Sequence, residues 1–436
     1  MRLPNLIEIV PLDEPVQAEV TVPGSKSITN RALILAALAE GETVLRGALW
    51  SEDTQVMVEC LQALGFRINI EPDPAEAGNR VLTVYGKGGV IPGGGTARAP
   101  LTLQVGNAGT AARFLAAFLC LGRGCYRLEG VPRMHERPQA GLFDALRQLG
   151  YGVESLNQRL PAVIHGSGPR AAACRVSIAE SSQFASALLL CAAAGQWRVE
   201  VTGENAEESP YVVLTRRLVE AFPKGGGRFQ VEPDASSGSY FWGAAWLSAR
   251  ARVCVGGPSS RIGVRHWPGS GWQVDEQFPR YFPPDGQTPV GRISRLSDLG
   301  DSIMTGIVLA PWADRPLEFT DLGRLRLQEC ERVRALRTEL ERCGARVVEE
   351  GDTLRVWPGV LHGAEVETYN DHRMAMCFGM LGLAVPGIRI RNPACVRKTF
   401  PGFFQKLGAP PPLGLGAGIL DARDGRRLGV EELRAE

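Results

Sequence analysis

One unit is written about six times along this chain, and no other feature limits the fold as tightly. An apolar stretch of small residues is followed by a break and then a short β-like run. The copies are RALILAALAEGETVLRG from Arg31, ARFLAAFLCLGRGCYRLEG from Ala112, FASALLLCAAAGQWRVEVTG from Phe184, YFWGAAWLSARARVCVGG from Tyr240, MTGIVLAPWADRPLEFTD from Met304 and MAMCFGMLGLAVPGIRIRN from Met374. The first stretch of each copy reads as a helix that is apolar on most faces, which predicts burial. In most copies a second helix follows and ends on Gly before another strand, as in TQVMVECLQALGFRINI from Thr54, GLFDALRQLGYGVES from Gly141 and RVRALRTELERCGARVVEE from Arg332. Gly in that place is the expected left-handed stop. A spacing of about 60 to 80 residues is too long for a solenoid. It predicts six α/β subdomains, with three buried helices in each of two domains. The pattern specifies α/β or α+β and leaves strand order open. The fourth copy is incomplete. From Gly257 to Arg292 the chain is rich in Pro, Gly and aromatics, and it reads as a degenerate unit or a long surface loop. The stretch from Pro410, with three successive prolines and a charged end, reads as an extension outside the core.

Length and charge narrow the function classes. A chain of 436 residues is long for one core, so two domains are expected. Lys plus Arg is 48 and Asp plus Glu is 47, so the chain lacks the basic coat of a nucleic-acid or membrane-surface binder. No apolar run is long enough to span a bilayer, and Met1 to Pro15 lacks the apolar core of a signal peptide. The ten cysteines form no CxxC pair and several sit in apolar helical runs, as Cys120, Cys191 and Cys377 do. With only five His and no ligand spacing, a metal centre is not expected. The reading is a cytosolic protein with reduced thiols.

Chemistry gathers where the apolar helices begin. Pro23-Gly24-Ser25-Lys26-Ser27-Ile28-Thr29-Asn30-Arg31 brings a turn, hydroxyls and two cations to a helix N-terminus, an arrangement suited to an anion such as phosphate. Similar polar clusters precede the other copies: Gly106-Asn107-Ala108-Gly109-Thr110, Ser181-Ser182-Gln183, Asp234-Ala235-Ser236-Ser237, Asp298-Leu299-Gly300-Asp301-Ser302 and Asn370-Asp371-His372-Arg373. Helix capping explains each one singly. Capping does not require the accompanying Lys, Arg, Gln and paired Asp, so the set predicts an anion-attracting centre. Arg137, Arg332, Arg373 and Lys398 supply further cations, and Arg forks fit carboxylate and phosphate oxygens at two points. The chain has no GxSxG, no Walker A and no GxGxxG on a βαβ unit.

The motifs PGSKSITNRA, GNAGTAAR, RMHERP, SSQF, DASSGSYF, DHRMAMCF and KTFPGFF follow one another in this order. From about residue 15 to about residue 408 the chain thereby resembles the 5-enolpyruvylshikimate-3-phosphate synthase (3-phosphoshikimate 1-carboxyvinyltransferase) family. The resemblance implies two domains, each of three βαβαββ-like units around buried helices, with the fourth unit shortened. It places residues 1–22 and 235–436, with a tail from about 410, in one domain and 23–234 in the other. It also implies transfer of the enolpyruvyl group of phosphoenolpyruvate to the 5-hydroxyl of shikimate 3-phosphate, on the route to chorismate and the aromatic amino acids. The implied enzyme needs no metal and no cofactor, binds neither nucleic acid nor membrane, and acts as a cytoplasmic monomer. By motif match Lys26, Asp301 and Glu329 are catalytic. Lys26, Ser27, Arg31, Ser181, Ser182, Gln183, Tyr211, Asp301 and Gln328 hold shikimate 3-phosphate. Lys26, Gly109, Arg137, Gln183, Arg332, Arg373 and Lys398 hold phosphoenolpyruvate. Gly109 is also expected on physical grounds, since a side chain there would crowd an anion approaching the backbone.

The chain departs from the family pattern chiefly on the acceptor side. Gln328 stands where the family has Lys, Arg324 where it has Asn, and Glu208 where it has the Ser of S-x-P-Y, with Ser209 adjacent. Phe114 replaces a frequent Pro. These changes motivate two other readings: a related transferase using a different acceptor alcohol, and a non-catalytic phosphoenolpyruvate-binding relative.

Overall fold

All six apolar helices are present, and a strand follows each. The structure is a computed structural model that describes residues 3–203, 209–253 and 260–435. The chain divides into two units, Gly24–Glu232 and Met1–Pro23 with Pro233–Glu436.

In the Gly24–Glu232 unit the helices Lys26–Leu38, Gly109–Leu119 and Ser182–Gly195 form the interior. Ile28, Ala32, Leu33, Ile34, Ala36 and Ala37 of the first are fully buried. Each buried Leu or Ile contributes about 1.5–3 kcal/mol by leaving water, and Ala between them lets neighbouring helices approach. Two four-stranded sheets flank these helices, ordered Gly227–Gln230, Glu40–Leu49, Asn79–Lys87, Ile68–Pro72 and Leu101–Gln104, Arg123–Glu129, Ala162–Ser167, Gly152–Glu154. In both, the first pair is parallel and the others antiparallel. The third copy has a two-stranded parallel sheet, Ala172–Ser177 with Trp197–Thr202.

In the other unit the apolar helices are Ala235–Val253, Ile303–Leu309 and His372–Leu381. The N-terminal strand Leu6–Ile9 lies antiparallel between Ile388–Arg391 and Ile419–Asp421, and Gln17–Val20 pairs parallel with Arg261–Val264. These ladders tie the start of the chain to its second half. The third sheet of this unit is ordered Arg292–Ser294, Leu317–Thr320, Thr353–Val356, Val347–Glu350.

The second helices end as the sequence predicts. Gly65, Gly150 and Gly344 follow the helices Glu52–Ala63, Ala140–Gln148 and Arg332–Arg342 at φ of +90°, +86° and +91°. A side chain with Cβ is strained at such angles.

Two expectations need correction. The chain beyond Pro410 is not outside the core: Ile419–Asp421 completes a sheet, and Leu415, Ile419 and Leu433 are buried. The apolar residues in that stretch outweigh its prolines and charges. Of the two readings of the incomplete fourth copy, the degenerate unit holds and the surface loop does not. Phe278 and Phe282 are fully buried, Phe282 packs edge-on against Trp246, and Trp267 donates its indole N–H to the Glu276 carbonyl at 3.0 Å. Phe278 and Phe282 stand four residues apart along the short helix Phe278–Tyr281 and its cap, so helical spacing puts both rings on one buried face.

Candidate active site

In the Gly24–Glu232 unit the first turns of the buried helices lie side by side. Arg113 donates to Gln183 Oε1 at 2.7 Å and to the Pro138 carbonyl at 3.1 Å, and the Gln183 amide donates to Thr110 at 3.3 Å. Ser181 caps its helix by accepting from the Gln183 N–H at 3.2 Å, and Ser182 beside it is buried. Arg31 is also buried. It donates to Thr215 Oγ1 at 2.7 Å, the Ser27 carbonyl at 2.9 Å and Ser186 Oγ at 3.0 Å, and lies 5.1 Å from the centre of the Phe114 ring. Its partners come from four segments, so its position depends on the packed unit. Lys26, at the first helical position, pairs with the buried Asp53 carboxylate at 3.1 Å. Ser25 makes no side-chain cap there. Tyr211 lies on Ser209–Ala221, where its carbonyl accepts from Thr215 at 2.8 Å.

Gly109 has a different physical reason from the one expected. A Cβ built on it would stand 2.7 to 2.8 Å from the Arg137 guanidinium. The missing side chain makes room for a cation rather than directly for an anion. Arg137 donates to the Asn107 carbonyl at 3.3 Å, while its buried Nε has no hydrogen-bond partner among the described residues. The guanidinium is therefore held at one point with donor capacity left over.

The second unit concentrates charge. Asp301 accepts from Arg295 at 3.1 Å and from Arg373 at 3.0 Å, with Arg332 4.0 Å away. Arg332 bonds Asp371 through Nε at 2.7 Å and Glu329 through Nη2 at 2.8 Å. Lys398 pairs with the other Glu329 oxygen at 3.0 Å. Four cations thus interleave with three carboxylates, and Arg295, Arg332 and Asp371 are shut off from solvent. Burial by itself would raise the Asp301 carboxyl. Arg373, Arg295 and Arg332 outweigh it and hold the group well below the usual carboxylate range. Burial opposes the Arg332 charge, yet Asp371, Glu329 and Asp301 push its guanidinium above the ordinary value. Arg373 is raised likewise, chiefly by Asp301 against burial.

Two chains of cause fix this cluster. Asp371 caps the helix His372–Leu381 by accepting from the Arg373 N–H at 2.9 Å, so one carboxylate orients two arginines. Asp275, in the fourth copy, accepts from the Ser302 N–H at 3.0 Å, from Ser302 Oγ at 2.5 Å and from Ser236 Oγ at 2.5 Å. It thereby pins the turn that carries Asp301. Gln328 turns its amide oxygen onto Arg332. Arg324 is half-buried in the turn Gly323–Leu327. Glu208 and the Ser209 side chain lie outside the described residues.

A family model described as EPSP synthase (3-phosphoshikimate 1-carboxyvinyltransferase) matches residues 11–225 and 219–407. The chain belongs to the EPSP synthase family. Proteins named 3-phosphoshikimate 1-carboxyvinyltransferase from Trichormus variabilis and Opitutus terrae are each 38% identical to it, covering 92% and 93% of this chain and 98% of each relative. An EPSP synthase structure from Acinetobacter baumannii aligns with a TM-score of 0.72 at 21% identity, over 95% of this chain and 99% of that one. The enolpyruvyl transferase NikO from Streptomyces tendae aligns at 0.60 and 16% identity, over 95% and 98%. These structural likenesses show a shared enolpyruvyl transferase fold. Among the described residues no helix is long and apolar enough to cross a membrane.

Against the EPSP synthase motifs, sequence reasoning missed four residues that shape the clusters. Arg295, Asp275, Arg113 and Asp53 lie outside the matched site set. Arg113 closes the motif GNAGTAAR, whereas the only signal of the other three was a charged residue close to an apolar run, which many surface positions share.

Proposed function

We propose that this chain transfers the enolpyruvyl group of phosphoenolpyruvate to the 5-hydroxyl of shikimate 3-phosphate and releases phosphate. Family membership across residues 11–407 supports the activity. The observation that carries the residue assignment is Asp301 and Glu329 set among Arg295, Arg332, Arg373 and Lys398.

Arg332, Arg373 and Lys398 bind the phosphate and carboxylate of phosphoenolpyruvate, and Gly109, Arg137, Gln183 and Lys26 serve the same substrate. Ser27, Arg31, Ser181, Ser182, Gln183, Tyr211, Lys26, Asp301 and Gln328 bind shikimate 3-phosphate. The hydroxyl oxygen adds to C2 of phosphoenolpyruvate while C3 gains a proton. The C2–phosphate oxygen bond then breaks, phosphate leaves, and C3 returns its proton. Asp301 accepts the hydroxyl proton, Glu329 is the second acid/base group, and Lys26 shares in proton transfer. A carboxylate gripped by three guanidiniums is a weak base. When the phosphate and carboxylate of the substrate draw Arg373 and Arg332 to themselves, Asp301 loses those bonds and gains proton affinity. Substrate binding thus switches on the base. The enzyme works as a cytoplasmic monomer without metal or cofactor, and its near-neutral charge balance suits small anionic substrates better than nucleic acid.

The test is phosphate release by the purified chain, followed by phosphorus NMR. Turnover that needs both substrates supports the reading. Absence of turnover, with phosphoenolpyruvate still bound, overturns it in favour of another acceptor alcohol. That second reading is favoured by Gln328, a neutral residue where the family has Lys, whose amide oxygen faces Arg332.

A further inference from the structure

Three groups outside the proposed chemistry meet on the solvent face of one sheet. Cys125 on the strand Arg123–Glu129 is the register partner of His165 on Ala162–Ser167, and His165 is the partner of Gly152 on Gly152–Glu154. The alternate residues Tyr126, Ile164 and Val153 point into the core, so Cys125, His165 and Glu154 share the outer face. Cys125 Sγ lies 3.3 Å from His165 Nδ1, and His165 Nε2 lies 2.7 Å from Glu154 Oε1. The His165 side chain is 34% exposed and the Glu154 side chain 71%. Cys125 is half-buried.

The hydrogen bonds fix the roles. A carboxylate only accepts, so His165 Nε2 carries the hydrogen and donates it to Glu154. Nδ1 then presents its lone pair to Cys125, and the thiol donates to it. Nucleophile, base and orienting acid stand in line. Space is arranged to match. A Cβ at Gly152 would stand 3.1 to 3.3 Å from His165 Cδ2, Cβ and Cγ, so the glycine gives the imidazole room. On the far side the Cys125 backbone is bridged to that of Gly95. Arg123 and Arg127 stand two residues to either side of Cys125 on the same face, and Arg127 is paired with Glu129 at 2.7 Å.

Burial pushes the thiols of Cys174 up to about 11 and of Cys60, Cys343, Cys377 and Cys395 up to about 12. Cys330 is raised by burial and by the neighbouring Asp371.

We propose that Cys125 is an activated surface thiol that exchanges with small-molecule disulfides, with His165 as its base and Glu154 as the positioning residue. The Sγ proton passes to His165 Nδ1, and the thiolate attacks one sulfur of the disulfide. A Cys125 S–S bond forms as the original S–S bond breaks, and the departing thiolate takes the proton from Nδ1. The exchange is balanced without a further oxidant. It leaves a mixed disulfide that excess thiol reverses.

The experiment treats the full folded chain at neutral pH with 5,5′-dithiobis(2-nitrobenzoate) and locates the label by peptide mass mapping. Cys125 is expected to label first, about tenfold or more faster than free glutathione in the same buffer. His165→Gln should slow labelling at Cys125 about tenfold, and Glu154→Gln about threefold, while phosphoenolpyruvate turnover stays unchanged. Cys125→Ser should remove the fast phase. Oxidised glutathione should then give a mixed disulfide at Cys125 that dithiothreitol reverses. Labelling of Cys125 no faster than free glutathione overturns the proposal without recourse to any variant. So does an unchanged rate in a His165→Gln protein that still turns over.

Discussion

Arg31 and Arg113 in one unit and Arg332 and Arg373 in the other are held in different ways. In the Gly24–Glu232 unit Arg31 donates to hydroxyls and a carbonyl beside an aromatic face, and Arg113 to an amide and a carbonyl. In the other unit Arg332 and Arg373 are matched by carboxylates, and those carboxylates are themselves site residues or caps. Dipolar partners position a cation through the geometry of their bonds. Carboxylate partners neutralise it until a substrate anion takes their place. One unit therefore holds these two arginines through dipoles, and the other holds its pair in an ion-pair cluster whose proton affinities depend on the surrounding charges.

The comparison is sharpest at Asp301. Asp301→Asn should lower turnover by about a hundredfold to ten-thousandfold, read as phosphate release, while phosphoenolpyruvate binding by equilibrium dialysis persists because the guanidiniums remain. The same variant tests the pH argument. Asp301 is depressed in the folded state, so its contribution to stability is present above its ordinary value of 3.8 and is lost as pH falls below that. Denaturant midpoints of wild type should therefore fall more steeply than those of the variant on the acid side. Equal acid limbs would mean that the arginines do not grip this carboxylate.

Next in size is Arg332→Met. Leaving Asp371 buried without its guanidinium should cost about 3–5 kcal/mol in denaturant unfolding. Arg31→Met in the other unit should cost only about 1–2 kcal/mol, because Ser186 and Thr215 remain bonded to each other at 2.8 Å. Equal losses for the two variants would erase the distinction between the units. The smallest stability effect is expected for Gly109→Ala, within about 1 kcal/mol, since the methyl meets the movable end of Arg137. Displacing that guanidinium should still weaken phosphoenolpyruvate binding about tenfold, measured as KM against kcat. Unchanged KM would remove Arg137 from the binding set.

Much of this protein is legible in its sequence because local chemistry repeats. Six apolar helices followed by strands, the glycine stops at Gly65, Gly150 and Gly344, and the motif order around Lys26, Gly109 and Arg373 need no distant contact to be seen. Tertiary structure decided what local rules cannot carry. It placed Leu6–Ile9 and Ile419–Asp421 in one sheet, since ladder pairing joins strands however far apart they lie in the chain. It buried Phe278 and Phe282 from a stretch rich in Pro and Gly, and it brought Asp275 to Ser302 and Arg295 to Asp301. It also set Cys125 against His165, 40 residues apart in sequence. Helix formation and capping depend on residues three or four apart, whereas burial and ion pairing depend on distance through the folded core, which a linear pattern does not encode.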